Sequence, residues 1–148
     1  MLNNDYKDIL LALSNRKVKF ILIGAYAMAA HGFPRSTMDI DLWVLPDPEN
    51  AALVLQALED FGATTTELTT KDLQNEGLIF QIGVAPRRID ILTSVNGLRF
   101  AEAYSNSQTI YIEGIPVQVL SVSDLIINKR STGRTKDLAD AEALAGLE

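Results

Sequence analysis

The chain has no cysteine and a single histidine, His31. Disulfide frameworks and thiol nucleophiles are thereby excluded, as are the usual zinc sites built from several thiolates and imidazoles. Any metal must sit among oxygens. Positive charge is also scarce, with 13 Lys and Arg against 19 Asp and Glu for a net charge of −6 over 148 residues. Generic duplex binding, which relies on many cations neutralising phosphates, is disfavoured, although a small local basic patch stays open. Long apolar runs are missing too. The longest, Phe20 to Ala30, has eleven residues, well short of the roughly twenty that span a bilayer. The opening MLNNDYKD lacks a secretory pattern. These absences predict a cytoplasmic protein with no membrane partner. The length predicts one domain over 1–148, able to bury a core without covalent or metal staples.

Periodicity predicts an α/β (α+β) order of elements. Leu2, Tyr6, Ile9, Leu10 and Leu13 follow the spacing of an amphipathic helix over 2–16. Val18–Ile23 is β-branched and aromatic, and Gly24 stops it, which predicts a buried strand. A short helix is expected over Ala25–Ala30, ended by Gly32 and Pro34. Asp39–Leu45 reads as a second strand and Asn50–Phe61 as a helix with Asp47 and Glu49 near its positive end. Strands are expected at Leu78–Val84 and Arg87–Thr93, and a hairpin at Gln108–Ile112 and Ile115–Leu120 around Glu113 and Gly114. From about residue 121 the chain turns helical, with Ser121 and Asp124 as a start signal and a second helix from about Arg134 to Ala145. The expected result is a mixed sheet flanked by helices.

Chemistry concentrates in Gly24–Asp41, GAYAMAAHGFPRSTMDID. Strand residues i and i+2 share a face, so Asp39 and Asp41 project together while Met38, Ile40 and Leu42 face the core. Two like charges held side by side need compensation, and a divalent cation supplies it. Magnesium suits such a site because it favours carboxylate oxygens, waters and substrate phosphates. Gly24 adds a strand–glycine–helix junction whose free backbone N–H groups suit an anionic phosphate. Asp90, in Arg87–Leu92, alternates away from Ile89 and Ile91 and brings a third carboxylate, and three carboxylates could hold two metals. Arg88 shares the face of Asp90, and a plain ion pair between them is the competing explanation.

Gly24, Ala27–Ala30, His31, Gly32, Arg35, Thr37, Asp39 and Asp41, with Asp90 downstream, resemble the nucleotidyltransferase superfamily of DNA polymerase β type. Within it they are most similar to the small bacterial branch related to the AbiEii toxins. Lys129 and the run Gly133–Asp140, GRTKDLAD, resemble that branch's C-terminal lysine and KDLxD helix. The resemblance implies a five-stranded or similar mixed sheet, Mg²⁺ or Mn²⁺, and transfer of a nucleoside monophosphate from an NTP with release of pyrophosphate. It makes Asp39, Asp41 and Asp90 both catalytic and metal-binding, and Gly24, Ala25, Arg35, Thr37 and Lys129 nucleotide-binding. Ala25 departs from the family's usual Gly or Ser and leaves phosphate to backbone N–H groups. The acceptor is left open among a tRNA end, a protein and a small molecule. The acceptor-gripping domain of larger relatives is not evident, so a cognate partner protein is expected, with a toxin–antitoxin setting as one possibility. The alternative is a non-catalytic member of the same fold acting as an antitoxin or regulatory subunit.

Other residues have plainer readings. Arg35 either binds phosphate, buttresses the aspartates or is a surface arginine. His31 suits a structural hydrogen bond, and Trp43 and Tyr26 suit the core or its rim. Lys129 either reaches the β- and γ-phosphates or merely sits at a helix end. Lys136 and Asp140, at i and i+4, predict a surface ion pair, while Asp137 has only the resemblance in its favour.

Overall fold

A computed structural model describes residues 2–33, 39–84 and 86–146. Arg35 and Thr37 lie outside the described residues. The elements run in the order α1 (Asn4–Asn15), β1 (Phe20–Ile23), α2 (Gly24–Ala30), β2 (Ile40–Val44), α3 (Pro48–Phe61) and α4 (Thr70–Leu73). They continue with β3 (Ile79–Ile82), β4 (Ile89–Leu92), α5 (Phe100–Asn106), β5 (Gln108–Ile112), β6 (Ile115–Val119), α6 (Val122–Thr132) and α7 (Thr135–Ala145). The sheet has six strands, ordered β3-β4-β2-β1-β6-β5. It is mixed: β2 runs parallel to β4 and β1 parallel to β6, while β1/β2, β3/β4 and β5/β6 are antiparallel. Among the described residues no helix is long and apolar enough to cross a membrane.

Local chemistry explains most boundaries. Asn3, Asp47 and Ser121 each cap a helix by accepting a hydrogen bond from the backbone N–H three residues on. Gly62 and Gly133 take left-handed backbone at the ends of α3 and α6. Two short helices were not expected. The Thr69–Asp72 capping box starts α4, whereas α5 has no side-chain cap and is pinned by burial of Phe100 and Ala103. Phe100 meets Trp43 edge-on at 5.2 Å and stacks on Tyr104 at 5.4 Å.

The two central strands position the site. β1 is buried along its whole length, and Ile40, Leu42 and Val44 are buried on β2. They join Ile89 and Ile91, the α1 residues Ile9, Leu10 and Leu13, and Val54 and Leu58 of α3 in one core. At the end remote from the acidic residues, Asn50 ties three segments together. Its Oδ1 accepts from Lys19 N at 2.8 Å, and its Nδ2 donates to Lys19 O at 3.1 Å and Leu45 O at 3.0 Å. Asn50→Ala removes all three contacts and takes this partner from the Lys19 N–H and the Leu45 carbonyl. The variant should lose about 2–3 kcal/mol of stability with an unchanged denaturant slope, measured by urea unfolding.

Candidate active site

The acidic residues are set by strand register. β2 and β4 are parallel neighbours with Ile40 opposite Ile89 and Asp41 opposite Asp90. The isoleucines go to the core, so alternation sends Asp39, Asp41, Arg88 and Asp90 to the other side. Asp90 is buried and hydrogen-bonds the Asp41 side chain. Asp39 is drawn toward Arg88: its Oδ1 accepts from Arg88 N at 3.0 Å and its Oδ2 lies 3.4 Å from Arg88 Nη2. The Arg88 guanidinium also grips Asp90 in a two-point fork, Nε to Oδ1 at 2.8 Å and Nη2 to Oδ2 at 3.1 Å. The ion pair expected as the competing explanation for Asp90 is therefore present. The structure brings Asp41 and Asp90 together directly and links Asp39 to them through Arg88.

Burial and crowding leave a signature on Asp41. Desolvation first, then the neighbouring Asp90 and Asp39 carboxylates, push its pKa up to about 7, against a smaller opposing pull from Arg88. Gly24, at the β1–α2 junction, has φ +67°, and a Cβ there would collide with Asp41 Oδ2. Only glycine accepts both demands. No side chain caps the start of α2.

Gly24 and Asp41 open into a cleft of about 390 Å³, whose opposite wall carries Asn128, Lys129, Thr132, Arg134 and Asp137. That wall comes from α6, α7 and the turn between them. Lys129 Nζ lies 3.2 Å from Asp137 Oδ1 and 3.2 Å from Asp140 Oδ2. Thr132 Oγ1 is 2.7 Å and Arg134 Nε 2.8 Å from Asp137 Oδ2. Burial works against the Asp137 charge, but hydrogen bonds from Thr132 and Lys129 and the charges of Lys129 and Arg134 hold its carboxyl below the usual range. Asp140 thus pairs across to Lys129, which corrects the expected surface pair with Lys136. The reason is helical: Asp137, Asp140, Ala141 and Leu144 form the buried stripe of α7. Ala25 lines an adjoining recess with Lys129 and Lys136. His31 Nε2 lies 2.9 Å from Leu120 O, a structural contact. Thr132, Asn128 and the cleft-facing role of Arg134 escaped the sequence reading, although Lys129, Thr132 and Arg134 lie within two turns of sequence around Gly133.

Chemically, the cleft sets Asp41 against a wall of acid-paired Lys129 and Arg134, an arrangement suited to a polyanion bridged to a carboxylate by a hard cation. Its donors are all oxygen, and Gly24 keeps space open before Asp41, so the chemistry of the set fits a magnesium-type ion. In this arrangement no three acidic or histidine side chains among the described residues share one ion-sized position. A larger recess of about 710 Å³ near Trp43, Arg99 and Phe100 contains none of these acids.

The raised Asp41 pKa makes stability fall as pH rises. Between about pH 4 and pH 7 the folded chain holds a proton that the unfolded chain has released, so this contribution is complete below the unfolded value and gone above about 7. Thermal melts in EDTA should show Asp41→Asn more stable than the parent chain at pH 8, by on the order of 1–2 kcal/mol, with the difference vanishing near pH 4.

A comparison with curated proteins gives no match. Among solved structures, the chain is similar to one described as a putative nucleotidyltransferase from Thermotoga maritima, with a TM-score of 0.61 and 16% identity over 99% of this chain and 94% of that one. At that identity the likeness concerns the fold, and it identifies the mixed sheet with flanking helices as nucleotidyltransferase-like. The family model described as "Nucleotidyltransferase of unknown function (DUF6036)" matches residues 2–145, and the chain belongs to that family.

Proposed function

We propose that the protein is a metal-dependent nucleotidyltransferase that moves a nucleoside monophosphate from an NTP to a hydroxyl acceptor. The observation that carries this reading is Asp41, coupled to the buried Asp90 and set against Gly24, lining a cleft that also presents Lys129 and Arg134. In the proposed reaction the acceptor oxygen bonds to the α-phosphorus, the bond to the bridging oxygen breaks, and pyrophosphate leaves.

Asp41 and Asp90, joined by Asp39, would hold Mg²⁺ or Mn²⁺ through hard oxygens. Such an ion supplies charge neutralisation to the polyphosphate and lowers the pKa of a nearby hydroxyl. Asp90, on the strand beside Asp41, would help take the acceptor proton. Lys129 is held at the cleft by Asp137 and Asp140 and would contact the leaving group. Backbone at Gly24 and Ala25 would approach the phosphates, and Arg35 and Thr37 would complete the nucleotide's surroundings. The acceptor class, whether a tRNA end, a protein or a small molecule, is left to experiment. The motifs around Asp39 and Lys129 favour the branch resembling AbiEii toxins, and with it a cognate partner and a toxin–antitoxin setting.

One observation favours a second reading. Arg88 grips Asp90 with two hydrogen bonds and contacts Asp39, as a regulatory or antitoxin-like member without turnover would have it. Nucleotide binding by calorimetry separates the two: tight NTP binding without turnover supports the second.

The test of activity is label transfer from each α-labelled NTP, with Mg²⁺ or Mn²⁺, into a cell extract. A labelled product is expected, reduced at least ~100-fold in Asp41→Asn. Label transfer that does not depend on Asp39 and Asp41, or no transfer at all, overturns the catalytic reading. Gly24→Ala, which forces Asp41 aside, should fall by roughly tenfold or more in the same assay while its melting temperature shows it folded.

A further inference from the structure

Arg88 occupies an unusual position in the acidic row. The parallel register sets it beside Asp39 as it sets Asp90 beside Asp41, so three anions and one cation share a face of two strands. All four carboxylate oxygens of Asp39 and Asp90 are engaged by this one residue. Its guanidinium takes both oxygens of Asp90 and Oδ2 of Asp39, and its backbone N–H takes Oδ1 of Asp39. Its side chain is only one-third exposed, at 33%. An arginine cannot be discharged by losing a proton at ordinary pH, so its charge can leave the acids only by moving. The side chain is long, and its backbone contact to Asp39 does not depend on where the guanidinium sits.

We infer that Arg88 is a resident counter-ion that competes with a divalent cation for Asp39 and Asp90, so that ion entry requires the guanidinium to swing away. The inference rests on the proposed reading of these acids as the ion site. With Arg88 in place a dication meets a fixed positive charge in van der Waals range of two of its three ligands, and Asp41 alone makes a weak site. Without it, three crowded carboxylates lack compensation and favour an ion strongly. An ordinary supporting arginine would act in the opposite sense: its loss would disorder the acids and weaken the site.

The experiment uses the nucleotide-free full chain and Mn²⁺ alone, with free Mn²⁺ read by electron paramagnetic resonance and ion-induced stabilisation read by thermal melting. Arg88→Gln should bind Mn²⁺ about tenfold more tightly than the parent chain and gain a larger rise in melting temperature on adding it. Arg88→Lys, which keeps the charge but loses the fork, should fall between the two. Equal or weaker Mn²⁺ binding by a cooperatively melting Arg88→Gln overturns the inference. If that variant does not melt cooperatively, Arg88→Lys decides, and affinity no tighter than the parent's overturns it. Failures of the two ideas look different. Mn²⁺ binding that is lost in Asp41→Asn but indifferent to Arg88 removes the competition and spares the ion site, whereas no Mn²⁺ binding in any variant removes both.

Discussion

Three carboxylates on two adjacent parallel strands cannot all carry unshielded charge at short range, and the features around them answer that constraint. Asp41 shares a hydrogen bond with Asp90 and holds its proton to higher pH than an ordinary aspartate. Asp39 and Asp90 lean on the guanidinium two residues before Asp90. Gly24 contributes by omission, since any side chain there would occupy the volume into which Asp41 Oδ2 reaches. Each answer is local, and of the three acids Asp41 is the one that lines the cleft.

The opposite wall is organised by the same physics with the signs exchanged. Lys129 is largely buried at 16% side-chain exposure, and two acids on α7 pair with it and hold it in position. Thr132 and Arg134 in turn satisfy Asp137. A floor that needs cations thus confronts a wall whose cations are already neutralised. A polyphosphate with a bound ion would complement both sides only by reorganising them. The α6–α7 hairpin therefore belongs to the cleft as much as the strands do.

Much of this was legible in the sequence because it depends on period two. The burial of Ile40, Leu42, Ile89 and Ile91 follows from alternation, and alternation dictates which side Asp39, Asp41 and Asp90 take. Gly24 was legible because a strand was stopped by glycine, and Gly62 and Ser121 because caps are local. What was not legible depended on tertiary packing. Residues 100–106 fold into a helix without a cap because Phe100 finds Trp43, a contact 57 positions away that no local pattern announces. The sixth strand went uncounted only in the family expectation of about five, since each of the six segments was visible on its own. Asp140 was assigned to Lys136 by helical spacing, yet spacing of Asp137, Asp140, Ala141 and Leu144 marked the same aspartate as inward-facing. Two valid rules conflicted, and the buried stripe prevailed because Lys129 supplied the countercharge.

The pairing of Asp41 with Asp90 also bears on how the sheet finds its alignment. In a side-by-side strand pair, slippage by a single position would set an aspartate against an isoleucine and drive a bare carboxylate into the hydrocarbon interior. The acidic row, unfavourable in itself, therefore penalises a one-position slip more than it penalises the correct alignment, and so doubles as a proofreading element for chain assembly.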